Sequence, residues 1–110
     1  MSTYTPDSWV IVELDTKQHG KIYKVLAGWY GGYLAGDEWK LSSGIESMHL
    51  EDDVYVMPQS SGSVYRIAKG NEHMSGIMGS VFSNFEKLAE ENDFTIRRIE
   101  VSELPTELKI

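Results

Sequence analysis

Trp9-Val10-Ile11-Val12-Glu13-Leu14-Asp15 runs into the polar stretch Thr16-Lys17-Gln18-His19-Gly20 and then into Lys21-Ile22-Tyr23-Lys24-Val25-Leu26-Ala27. β-Branched and aromatic side chains on either side of a short glycine-ended turn predict a β-hairpin. Apolar residues sit on both faces of its second strand, where Ile22 and Leu26 oppose Tyr23, Val25 and Ala27. Such strands ask for more cover than one small core supplies, which predicts association with further copies.

Short strands continue downstream. Gly28-Trp29-Tyr30-Gly31-Gly32-Tyr33-Leu34-Ala35 is aromatic and glycine-rich, and glycine within a strand marks a bulge, a bend or a close backbone approach. Gly36-Asp37 turns into Glu38–Leu41, Ser42-Ser43-Gly44 breaks the run, and Ile45–Leu50 is expected as a further strand. Glu51-Asp52-Asp53 is an acidic turn, and Val54–Met57 and Ser63–Lys69 flank a Pro58–Gly62 loop of hairpin length.

After Gly70-Asn71 the apolar period changes. Ile77, Met78, Val81, Phe82, Phe85, Leu88 and Ala89 share one helical face, opposite Ser83, Glu86, Lys87, Glu90 and Glu91. Ser75 is the expected cap and Asn92 the expected end, with Gly79 weakening the first turn and pushing the start beyond Gly76. Phe94–Val101 reads as a final strand whose phase flips between Phe94/Ile96 and Ile99/Val101, predicting a bulge at Arg97-Arg98.

These elements predict a mainly β, α+β single domain over residues 1–110. Its core is an antiparallel sheet of five to seven strands over about residues 9–71, curled on itself as a small β-barrel, rather than a flat sheet with a helix on it. An amphipathic helix over about 76–92, a last strand over about 94–101 and a tail over 102–110 follow.

Composition narrows the function. Twelve aromatics and 41% hydrophobic residues in 110 supply one core. The absence of cysteine excludes disulfides, thiol nucleophiles and thiolate metal sites. No secretory leader pattern and no long apolar run are present, which points to a cytoplasmic protein without membrane association. Ten basic and seventeen acidic side chains leave a net charge of −7, of which −6 falls in residues 46–110. That balance disfavours non-specific DNA binding.

No nucleophile elbow, Walker loop or dinucleotide fingerprint is present, so no catalytic residue and no cofactor are assigned. His19, His49 and His73 lack ligand spacing, and Glu51-Asp52-Asp53 lacks the spacing of a calcium loop, so no metal site is assigned either. Trp29 and Tyr30, with Tyr33, offer ring faces on which bases stack, or else a barrel core. Lys17, Lys21 and Lys24, near one hairpin, read as solvated edge lysines or else as phosphate contacts. Arg66 and Lys69, with Arg97 and Arg98, form the best remaining basic group, an anion site if their strands are neighbours and ion-paired otherwise.

Val10-Ile11-Val12-Glu13-Leu14 followed by Gly20–Trp29 resembles the first segment of Sm-like (LSm) proteins, and Val64-Tyr65-Arg66-Ile67-Ala68-Lys69-Gly70-Asn71 resembles the second. The acidic composition is similar to that of divergent bacteriophage members. The resemblance implies a five-stranded SH3-like barrel, homo-oligomeric rings paired through strand edges, and RNA as ligand; taken with the stacking rings and the basic group, it makes Trp29, Tyr30, Arg66, Lys69 and Asn71 the candidate RNA-binding residues. Lys69 stands where the family carries arginine, and Tyr30 and Leu34 where it carries its RNA-binding Asp and Asn. The alternative is an acidic adaptor or inhibitor that docks on a basic protein, with Leu104, Leu108 and Ile110 of the tail as its docking segment.

Overall fold

The hairpin forms as the longest pair in the molecule: β2 (Ser8–Thr16) and β3 (Gly20–Trp29) pair antiparallel from Ser8↔Gly28 to Thr16↔Gly20. Gly20 turns the chain with φ of 67°, a conformation that costs a side chain strain. This is a computed structural model that describes residues 2–31 and 36–109. β4 (Glu38–Leu41) extends the sheet beyond β3, and β8 (Thr95–Ile99) extends it beyond β2, in the order β4-β3-β2-β8. A second sheet takes the order β1-β7-β6-β5 from Thr3–Tyr4, Val64–Ala68, Val54–Pro58 and His49–Glu51.

The two sheets face each other across Trp9, Ile11, Val25, Ala27, Met57, Tyr65, Ile67 and Ile99. The other face of the first sheet, with Val10, Val12 and Leu26, is covered by helix α1 (Gly76–Asn92) through Met78, Ile77, Val81 and Phe82. The fold is therefore three layers: helix, sheet, sheet. Residues 9–12 of β2 have no exposed surface at all, because both of their faces are covered. The cover that Leu26 asks for comes from the chain's own helix.

Several expectations are corrected. The β class with one helix holds, but the described strands form two sheets that do not close into a barrel. The described residues form eight strands rather than five to seven, and β1 joins β7 in parallel, an addition that two residues of sequence do not announce. Ile45–Leu50 is not one strand. Residues 42–46 instead cross between the sheets, with Ile45 N donating to Tyr23 O (2.7 Å) and Glu46 N to Pro58 O (2.9 Å).

The phase flip in β8 needs no bulge, since its register with β2 is unbroken from Thr95↔Asp15 to Ile99↔Ile11. Ile96 faces the helix and Ile99 the space between the sheets, and each finds an apolar partner there. The helix starts at Gly76 despite Gly79, and Asp93 just beyond Asn92 takes the left-handed conformation that ends it. No helix among the described residues is long and apolar enough to cross a membrane.

Gly28 is the close approach that its place in a strand suggested. A Cβ there would lie 2.6 Å from Met78 Sδ, which also receives the Ser8 hydroxyl at 3.2 Å. Gly28→Val should push the helix off the sheet and destabilise the fold by about 1–3 kcal/mol, as overpacked cores do. Chemical denaturation measures this, and an unchanged midpoint would mean that the helix is not seated on Gly28.

Candidate functional site

The residues singled out for RNA are divided by the fold. Trp29 is half-buried at the end of β3, packed against the core with its ring centroid 6.3 Å from that of Tyr4 in a T-shaped contact. Tyr30 is exposed. Its amide donates to Asp7 Oδ2 (2.8 Å) and its hydroxyl lies 2.8 Å from His73 Nε2. That contact brings Tyr30 close to the turn that holds Lys69 and Asn71. Tyr33 and Leu34 lie outside the described residues.

The basic side chains are mostly engaged. Arg66 on β7 donates from Nη1 to Glu51 Oε2 (3.0 Å), and His49 flanks the same carboxylate at 3.2 Å. Lys69 lies over the Tyr55 ring at 5.6 Å. Arg97 is held by Glu13 (3.0 Å) and Glu103 (3.4 Å). Since β7 and β8 belong to different sheets, Arg66 and Arg97-Arg98 are not strand neighbours. The ion-paired alternative is the observed one for Arg66 and Arg97, at positions 15 and 84 residues from their partners.

Protonation follows these pairings. Hydrogen bonds from Arg66 and then His49 hold the Glu51 carboxyl below the ordinary glutamate value, and the Glu100 amide and Arg97 do the same for Glu103. The Arg97 guanidinium is raised by Glu13. Burial pushes the Tyr65 phenol up to about 12, and its hydroxyl has no hydrogen-bond partner among the described residues. Tyr23 is raised by burial and then by Glu13.

Two surface grooves stand out beyond the residues picked from the sequence. One, about 430 Å³, lies between β1 and β4 and is lined by Tyr4, Trp29, Glu38, Trp39 and Lys40, with the Lys40 ammonium 5.1 Å from the Tyr4 ring. The other, about 620 Å³, lies where the end of α1 meets the β2–β3 turn and β8. Ala89, Phe94 and Ile96 make its apolar floor, and Asp15, Glu86, Glu90 and Asp93 its rim. Lys17 is its one basic lining residue, with Nζ 3.8 Å from Asp93 and both side chains largely in solvent.

The second groove was hard to see in the sequence because its rim is drawn from β2, α1 and the residue that follows α1. The available signal was the acidic run Glu86, Glu90, Glu91, Asp93 with no base in the last helical turn. The tail proposed as a docking segment is used internally: Leu104 is buried and Leu108 packs on the core, while Ile110 lies outside the described residues. Among the described residues no three His, Cys, Asp or Glu side chains are placed to hold a metal ion.

The Glu51–Arg66 pairing has a measurable sign. A carboxyl depressed in the folded state adds stability above its unfolded pKa, and that stability is lost as pH falls through the folded value. In a ¹³C NMR titration the Glu51 carboxyl should titrate below its ordinary 4.5 and move back toward it in Arg66→Ala. A wild-type midpoint at or above 4.5 would mean that the arginine is free for another anion. The chain matches no family model, no curated protein and no solved structure in these comparisons.

Proposed function

We propose that the protein is a non-enzymatic docking module whose acidic end engages a basic partner protein. The observation that carries this reading is the 620 Å³ groove with an apolar floor and four carboxylates on its rim. Carboxylates near a helix C-terminus face the negative end of the macrodipole and one another, an arrangement that opposes folding. A basic amphipathic segment relieves that repulsion while its apolar residues cover Phe94 and Ile96. The net charge of −7 steers such a partner toward the groove from a distance.

A second reading, an RNA-binding Sm-like ring, draws support from exposed Tyr30 beside His73 and the turn that carries Lys69 and Asn71. It has less support because Arg66 and Arg97 are occupied by carboxylates. Fluorescence anisotropy with a labelled Lys/Leu amphipathic peptide, oligo(U) and oligo(A) separates the two. We expect salt-sensitive binding of the peptide, lost in Glu86→Lys/Glu90→Lys and kept in Glu46→Lys/Asp53→Lys, whose charge change is the same elsewhere. Peptide binding indifferent to the first pair, or binding of RNA alone, would contradict the docking reading.

A further inference from the structure

We propose that β4 is a self-recognising edge, through which two copies join about a two-fold axis into one continuous eight-stranded sheet. Among the described residues β3 is the only strand partner of β4. Ser42 N donates to Val25 O, and by strand alternation the backbone groups of Ser42, Lys40 and Glu38 turn toward β3. Those of Trp39 and Leu41 therefore turn away from β3, where no described residue pairs with them, a row of donors and acceptors of the kind that recruits another strand.

The side chains say which strand fits. Glu38 and Lys40 share one face, two residues apart on either side of Trp39. If a second β4 runs antiparallel with Trp39 on the axis, Trp39 pairs with its own copy and exchanges both backbone hydrogen bonds. Glu38 then lies opposite the partner copy's Lys40, and Lys40 opposite its Glu38. These are non-hydrogen-bonded positions, where side chains come closest. The strand is complementary to itself in charge, which an edge serving a different partner has no need to be.

The opposite face adds an apolar reason. Trp39 is 42% exposed and Leu88 46%, two of the four large hydrophobic side chains exposed among the described residues. Phe85 meets Trp39 edge-on with ring centroids 6.0 Å apart, and Leu88 lies one turn further along that flank of α1. Trp39 and the Phe85–Leu88 flank of the helix thus leave apolar surface in solvent beside β4. A two-fold axis through Trp39 brings both copies' Trp39 and Leu88 to the same seam, where they shield one another. This inference is independent of the acidic groove, which lies on the β8 side of the same sheet.

Sedimentation at micromolar concentration tests it. The wild-type chain should run at twice its 12.4 kDa mass. Glu38→Lys and Lys40→Glu should each run as monomers, because each sets like charges opposite one another. An equimolar mixture of those two variants should recover the dimer, and so should the double exchange Glu38→Lys/Lys40→Glu. A wild-type monomer at every concentration, a ring-sized mass, a dimer indifferent to Lys40→Glu, or a mixture that stays monomeric would overturn the proposal. Recovery in the mixture cannot come from misfolded chains.

Discussion

Burial of β2 on both faces is the constraint from which the rest follows. A strand with Trp9, Val10, Ile11 and Val12 all withdrawn from water needs an apolar layer above it and another below. The β1-β7-β6-β5 sheet supplies one and α1 the other. The same requirement explains why Ile96 and Ile99 on β8 point opposite ways without a bulge. It also explains why Gly28 is bare of a side chain: the helix comes too close there for a Cβ.

That layering also decides where charge collects. The beginning of α1 is seated on Gly28 and Ser8 through Met78, and its end meets β8 and the β2–β3 turn. Its acidic residues face solvent there. Two of the three arginines are engaged elsewhere, Arg97 with Glu13 and Glu103 and Arg66 with Glu51 on the far sheet. The surface is thus acidic at the helix end and aromatic at the β4 edge.

Local patterns were legible in the sequence. The β2–β3 hairpin, the helix over Gly76–Asn92 and the acidic turn at Asp52-Asp53 each follow from residues within one turn or one strand pair. What escaped were arrangements decided at a distance. The crossing at residues 42–46 depends on Ser42 Oγ accepting from Val25 N and on Gln59 Oε1 accepting from Gly44 N, and neither contact leaves a mark in periodicity. Alternation along β8 signals a bulge only if the strand serves one core, whereas Ile99 and Ile96 serve two. Leu26 on one face of β3 is covered by a helix some 50 residues later in the chain, a contact that no local pattern announces. The candidate site was less legible than the fold, since ion pairs such as Glu13–Arg97 join residues that no local pattern connects.

The central claim is that α1 completes a core shared with β2 instead of resting on a sheet already stable. Native-state hydrogen exchange tests this most directly, because a shared core opens as one unit. Amides of Val10–Val12 and of the helix around Phe82 should exchange through the same opening, with equal free energies and equal denaturant dependence. Helix amides that exchange far ahead of a β2 that stays protected would contradict the account.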